Sequence, residues 1–293
     1  MDRPRLPRGK PGQTYRRALP SDQTDPTAGF HYEFSNEFYS LWLDPSMTYS
    51  CAYFERPDMS LEEAQMAKVD LAFRKVGLAP GHRLLDIGCG WGATAARAVE
   101  RYGASAVGLT LSRNQHAYAR TRVQPGMPLE YRLQGWETYG EPCDRIVSFG
   151  AFEHFTSPKY PAFFARCREN IAPDGRFLLQ TITVGKPSRS FELLRFAYFL
   201  HHELFNRAEL PRLEQVIGPA REAGFELLHA ESLRPHYVRT LEAWIAQFEA
   251  HREAAIEATS AELYGKFLVY LEGSAKYFRS GETNVYQFLF GVT

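Results

Sequence analysis

Leu84-Leu85-Asp86-Ile87-Gly88-Cys89-Gly90-Trp91-Gly92 decides the reading of this chain. A short apolar run carrying one acid passes into alternating glycines, and an alanine-rich stretch, Ala93–Arg101, opens after them. The pattern reads as a buried strand, a tight turn and a helix. Glycines there tolerate positive φ and let backbone N–H groups approach a ligand at the helix N-terminus. Gly88-x-Gly90-x-x-Ala93 also satisfies the dinucleotide fingerprint, so the loop by itself is weak. Two features separate the readings. A dinucleotide site expects an acid about twenty residues on, at the end of the second strand. Leu109-Thr110-Leu111-Ser112 stands there instead. Asp86 would also oppose a pyrophosphate. S-adenosylmethionine (SAM) carries an ammonium and a sulfonium and no phosphate, so the same acid favours it.

Working outward, strands and helices alternate. Arg83–Ile87 is a predicted strand, Ala93–Arg101 a helix, Ala104–Leu109 a strand and Arg113–Arg122 a helix. Leu129–Leu133 and Cys143–Phe149 are predicted strands. Tyr160–Ile171 is a helix closed by Pro173-Asp174-Gly175, and Arg176–Ile182 a strand. This pitch predicts an α/β fold, a parallel sheet with helices on both faces. Before it, apolar stripes mark helices in Glu37–Leu43 and Leu61–Val76, with Thr48–Tyr53 as an aromatic link. After it come a helical excursion at Ser190–Asn206 and a helix at Arg212–Ala223. Phe225–Ser232 and Val285–Val292 are the last strands, with helices Thr240–Ala258 and Ser260–Arg279 between them. The organisation expected is a flexible basic tail over 1–28 and a single domain over 29–293. That domain divides into a helical cover (29–76), the SAM-binding core (77–185), the excursion (186–217) and C-terminal strands and helices (218–293).

Lys+Arg 34 balances Asp+Glu 34 in 293 residues, so global charge gives no case for a nucleic-acid partner. Hydrophobic residues at 44% and charged residues at 23% exclude a mainly disordered chain. Arg3, Arg5, Arg8, Lys10, Arg16 and Arg17 face only Asp2 in the first seventeen residues. A solvated end is the plainer reading of that tail; attraction to an anionic lipid surface or an acidic carrier is the sharper one. Phe191–Phe205, the most apolar long stretch, contains Glu192, Arg195, His201, His202 and Glu203, which argues against a membrane span. Cys51, Cys89, Cys143 and Cys167 form no CxxC pair, which fits reduced thiols in a cytoplasmic protein. His202-Glu203 begins an HExxH-like string, but Asn206 replaces the second histidine, so no metal site is expected.

Five ordered motifs are more specific. They are Tyr49-Ser50-Cys51-Ala52-Tyr53-Phe54, Leu85–Thr94, Gly108-Leu109-Thr110-Leu111-Ser112 with Gln115, Gly135-Trp136-Glu137, and Gly150-Ala151-Phe152-Glu153-His154-Phe155. Arg234-Pro235-His236-Tyr237 and Leu271-Glu272-Gly273-Ser274-Ala275 follow. From about Phe30 onward the chain resembles the cyclopropane fatty acid synthases, above all the mycolic acid cyclopropane synthases and methyltransferases. The resemblance implies a class I SAM-dependent methyltransferase: a Rossmann-like, seven-stranded, mostly parallel sheet with an antiparallel last strand. Added N-terminal and inserted helices would cover an acyl site. It implies that Tyr49 and Ser50 contact the methionine part of SAM, and that Asp86, Gly88, Cys89, Gly90, Trp91 and Gly92 form the loop beneath it. Thr110, Leu111 and Gln115 would hold the ribose region and the amino-acid end, and Trp136 and Glu137 would flank the adenine.

The implied reaction methylates a C=C bond of an unsaturated acyl chain, carried as a lipid or on an acyl carrier protein. The product is a cyclopropane or a methyl-branched chain, with or without a hydroxyl. Methyl transfer creates a carbocation, so the site must be dry and present negative potential. Aromatic faces supply that potential, and Tyr32, Tyr49, Phe155, Tyr237 and Tyr270 are the candidates. The family's favoured base is a bound bicarbonate, held by backbone near Cys51, by Glu153, by a strand histidine and by Tyr237. Glu153 also stands out independently: it follows a buried strand, where desolvation raises a carboxyl pKa. Gln180 replaces the histidine of ring-forming members, and an amide cannot carry positive charge beside an anion. The methyltransferases that let water capture the cation resemble the chain at Gln180. Ser274 stands where many members have a cysteine, so a covalent thiol role does not apply.

Rival readings leave discriminating marks. An adenine or cytosine N-methyltransferase shows an Asn/Asp-Pro-Pro-Tyr/Phe motif after the fourth strand, where this chain has Phe149-Gly150-Ala151-Phe152-Glu153. A small-molecule C-methyltransferase acting on a prenyl or polyketide alkene would use identical chemistry. A non-catalytic SAM-binding module would bind the donor and move no methyl.

Overall fold

The structure, a computed structural model, describes residues 34–186, 190–205 and 209–293. The basic tail over 1–28, Tyr32 and Asn206 lie outside the described residues. The chain enters through α1 (Asn36–Ser40) and α2 (Leu61–Val76). A capping box starts α2: the Ser60 hydroxyl accepts from the Glu63 amide, and the Glu63 carboxylate accepts from the Ser60 amide. The core then runs β1 (Arg83–Ile87), α3 (Ala93–Tyr102), β2 (Ser105–Thr110), α4 (Arg113–Arg120), β3 (Leu129–Leu133) and β4 (Cys143–Phe149). It continues through α5 (Tyr160–Asn170), β5 (Ile171–Val184), α6 (Phe191–Glu203), α7 (Leu213–Glu222) and β6 (Phe225–Ser232). The end is α8 (Arg234–Ala250), α9 (Arg252–Ala258), α10 (Ala261–Ser280) and β7 (Thr283–Val292).

The seven strands form one sheet in the order β3-β2-β1-β4-β5-β7-β6. All pairs from β3 to β5 are parallel, and β7 is antiparallel to both β5 and β6. The order reverses between β1 and β4, where an open α/β sheet leaves a crevice at its carboxyl edge. Strand alternation sorts side chains onto two faces. Phe177, Leu179, Phe288 and Phe290 pack with α5 and α7, whereas Leu178 and Leu289 pack with α2 and α3. A third cluster sits apart from the sheet faces. Phe38, Tyr39, Trp42, Trp244, Phe248 and Phe267 join α1, α8 and α10 into an aromatic cap.

Two predicted helices change. Thr240–Ala258 is two helices, broken at His251, and the first begins at Arg234. Pro235 sits in its first turn, where the missing N–H costs nothing. Ile171 leaves the predicted Tyr160–Ile171 helix and pairs with Cys143. Pro173-Asp174-Gly175 fall within β5, where pairing jumps from Cys143↔Ile171 to Arg145↔Arg176. The irregularity absorbs the turn that the sequence announces.

Candidate active site

Two adjoining cavities open at the carboxyl edge of the sheet. The first, of about 160 Å³, is lined by Asp86, Gly88, Cys89, Gly90 and Trp91 from the glycine loop. Thr110, Leu111, Gln115 and Trp136 close its other side. Gly88 takes φ +79°, and a Cβ there would meet the Ala151 methyl at 2.4 Å, so the loop presses against the turn after β4. Gly90, at φ +54°, has nothing within 4 Å of the place its Cβ would occupy. Gly92 caps α3 beneath the Tyr131 ring and stands behind the cavity wall. Asp86 is buried, and its Oδ2 has no hydrogen-bond partner. Burial pushes its carboxyl up to about 7, against the pull of Lys68. Thr110 Oγ1 donates to Gln115 Oε1 at 2.9 Å, fixing both on the far wall. Glu137 is exposed at the rim and pairs with Lys159 at 3.1 Å.

The second cavity, of about 230 Å³, is mostly apolar. Leu193, Phe196, Ala197 and Leu200 of α6 form one wall, and Tyr237, Tyr270, Ser274 and Phe278 another. A Cβ on Gly273 would meet the Phe196 ring at 2.2 Å, so this glycine lets α6 lie against α10. Cys51, Glu153 and Gln180 face the same space. Tyr49, Ser50, Gly150 and His154 line both cavities and form the junction. Burial holds the His154 imidazole down to about 4, so it is neutral at pH 7. The Tyr49 hydroxyl bonds the Tyr270 hydroxyl at 2.8 Å. Phe155 stands on the first cavity, packed against Trp136 and Phe163.

Glu153 sits on a 3-10 turn, Phe152–His154, directly after β4. It is buried; Oε1 accepts from the Ile182 amide at 2.6 Å, and Oε2 has no partner. Burial pushes its carboxyl up to about 7. Cys51 is buried, its Sγ donates to backbone carbonyls of Ala52 and Leu233, and burial pushes its thiol up. A raised thiol pKa argues against a thiolate nucleophile.

A polar chain fixes Gln180. Lys75 Nζ donates to Glu231 at 2.5 Å and to Gln287 Oε1 at 2.7 Å. Gln287 Nε2 donates to Gln180 Oε1 at 3.0 Å, and Gln180 Nε2 donates to the Cys51 carbonyl at 3.3 Å. An ammonium can only donate, so it dictates the direction of every amide behind it. Gln180 therefore shows N–H, and not C=O, toward Cys51.

Sequence reasoning missed Lys68. It is fully buried on α2, lines the first cavity, and donates to Ser50 Oγ at 3.1 Å. Its signal was the stripe Ala64, Gln65, Lys68, Val69, Ala72, Phe73, Val76, which places two polar residues on the inward face. Among the described residues no cluster of three His, Cys, Asp or Glu side chains could hold a metal, and no helix is long and apolar enough to cross a membrane.

The sheet order and the acid-bearing glycine loop define a SAM-dependent methyltransferase of class I, and comparison with known proteins agrees. The family model for mycolic acid cyclopropane synthetase matches residues 21–288, and the chain belongs to that family. Cyclopropane mycolic acid synthase 2 of Mycobacterium leprae is 44% identical over 302 residues, covering 95% of this chain and 98% of its own. The structure of the cyclopropane synthase MmaA2 from Mycobacterium tuberculosis superposes with a TM-score of 0.87 at 45% identity, covering 89% of this chain and 95% of the other. Mycolic acid cyclopropane synthase CmaA1, crystallised with SAH and CTAB, gives a TM-score of 0.86 at 45% identity over the same shares.

Proposed function

We propose that the protein transfers the methyl of SAM to a C=C bond of an unsaturated acyl chain, with the donor in the first cavity and the chain in the second. One observation carries the reading: a cavity that holds the buried Asp86 carboxyl and a more apolar one share a wall at Tyr49, Ser50, Gly150 and His154, with the Glu153 carboxylate beside it. The donor fits the residues present. Asp86 Oδ2 is a buried acceptor in want of a donor, matched to an ammonium, and Gly90 leaves open space for a ligand to rest on backbone. Bound SAM supplies an electrophilic methyl on sulfur, and Thr110, Gln115 and Trp136 would hold its adenosine end. Glu137, paired with Lys159 at the rim, would act through the shape of the Gly135–Thr138 turn.

The chain's own residues then govern the cation. When the alkene takes the methyl, the adjacent carbon becomes positive, and the faces of Tyr49, Tyr237 and Tyr270 offer negative potential without a nucleophile. The unpartnered Oε2 of Glu153 takes a proton from the new methyl, and the freed electron pair closes the ring. A carboxyl held near 7 is poised for this at neutral pH. Neither Lys nor Arg lines the second cavity among the described residues. A bicarbonate beside ionised Glu153 would meet uncompensated negative charge, so the residues present do not fit it. Gln180 spends one of its two N–H groups on Cys51; the other can hold a water. Water captures the cation and gives its extra proton to the Glu153 carboxylate, leaving a hydroxylated branch, so Gln180 biases the outcome away from the ring. Ser274 is a wall residue, with no covalent part.

The partner is an acyl lipid. Phe191, Leu194 and Tyr198 are 73%, 64% and 67% exposed on α6, the helix whose other face lines the acyl cavity. Such a helix suits a lipid surface better than water. The test is incubation with methyl-labelled SAM and two phospholipids of equal chain length, one saturated and one cis-unsaturated. Label enters the unsaturated lipid alone; label in both, or in neither, defeats the reading.

A further inference from the structure

Lys68 is a cation that the fold does not neutralise. Its side chain is fully buried, yet no carboxylate among the described residues pairs with it. Its ammonium has the Ser50 hydroxyl at 3.1 Å and the face of Phe149 at 4.1 Å. Two carboxylates lie close enough to be felt, and neither is a partner. Asp44 is occupied by its own loop, accepting from Ser46 and from the Thr48 amide. Asp86 leaves Oδ2 without a partner. A buried charge without an ion pair is costly, and here it lines the cavity that takes the donor, beside Ser50.

The direction of the Ser50 bond matters. An ammonium has no lone pair, so Ser50 Oγ accepts and its single O–H stays free to donate. Ser50 lines the cavity. Gln65, one turn before Lys68 on α2, donates to the Ser50 carbonyl at 2.8 Å and to the Thr48 carbonyl at 3.2 Å, which holds the loop against the helix. The wall therefore presents two opposite features: an acceptor, Asp86, and a hydroxyl donor with positive charge behind it. The amino-acid end of SAM is a zwitterion. Its ammonium matches Asp86, and its carboxylate matches Ser50 backed by Lys68.

Resting on the assignment of this cavity to the donor, we infer that Lys68, acting through the Ser50 hydroxyl, is the positioning residue that reads the carboxylate of SAM. The arrangement makes the protein select donors that keep that carboxylate.

The test compares two ligands by calorimetry: S-adenosylhomocysteine, and its decarboxylated analogue S-adenosyl-3-thiopropylamine, which keeps the amine and lacks the carboxylate. Wild type binds the first roughly tenfold to a hundredfold more tightly, the range for one charge-assisted hydrogen bond. Lys68→Met removes most of that preference: it weakens S-adenosylhomocysteine by about tenfold or more and leaves the analogue within about twofold of wild type. Ser50→Ala, which deletes only the hydroxyl, gives the same pattern. The double variant loses less than the sum of the singles, because both act on one contact. Equal loss of both ligands in Lys68→Met would mark a merely structural lysine and overturn the inference, as would unchanged binding of both. Failure of wild type to bind either ligand would instead remove the donor-cavity assignment itself.

Discussion

The first cavity takes half of its lining residues from two short runs, Asp86–Thr94 and Leu109–Gln115, each a strand end and the turn after it. The apolar cavity gathers Cys51, Glu153, Gln180, Tyr237, Tyr270 and Ser274 with the inner face of α6, residues spread over most of the chain. The contrast follows from what each would hold. A small ligand with fixed charges needs backbone turns and a few placed polar groups, which contiguous sequence supplies. An acyl chain needs only dry, apolar surface, and many side chains from many elements provide it. What distinguishes the second cavity is the polar trio Glu153, Gln180 and Cys51 set into that surface, and the experiments that divide the two cavities act there.

The largest effect is expected at Glu153. Glu153→Gln lowers the rate of ring formation by about a thousandfold, within the range for a lost general base. Its S-adenosylhomocysteine affinity stays at the wild-type value, because the residue belongs to the apolar side. The pH profile carries the same assignment. Burial raises this carboxyl from its ordinary value to about 7, so it is protonated below that pH and ionised above it. Wild-type activity should fall about tenfold per pH unit below about 7 and level off above it. The variant should lose that limb. A profile retained in Glu153→Gln would move the base to another group.

A smaller effect is expected at Lys75, far from both ligands along the polar chain. Lys75→Met removes the cation that orients Gln287 and, through it, Gln180. Either amide can then turn over. The ratio of ring to hydroxylated product should shift a few-fold, with total turnover within about tenfold, the scale of one neutral hydrogen bond. Mass analysis of the products checks this. An unchanged ratio would show that the Gln180 amide is oriented by other contacts.

Legibility in the sequence followed the same division. Arg83–Ile87, Leu129–Leu133, Cys143–Phe149 and Phe225–Ser232 are strands with the predicted bounds, because short apolar runs ended by turn residues leave little choice. The glycine loop and Asp86 were readable for the same local reason. The break at His251 was not, since the apolar stripe runs on through it and the backbone turns only to seat α9 on the cap. Lys68 escaped notice because a lysine on a helix is usually solvated, and only its place in the stripe of α2 argues otherwise. The relay from Glu231 to Gln180 joins α2, β5, β6 and β7, so no local window contains it.

The central claim is that carbon, and no heteroatom, receives the methyl at the junction of the cavities. The most direct measurement uses SAM bearing a trideuterated methyl and a cis-unsaturated acyl lipid, with the product read by mass spectrometry and NMR. The account predicts deuterium bonded to a former alkene position: a CD₂ bridge where the ring has closed with loss of one deuteron, or an intact CD₃ branch beside a hydroxyl. Deuterium found as an ester, ether or amine methyl, with the double bond untouched, would contradict it.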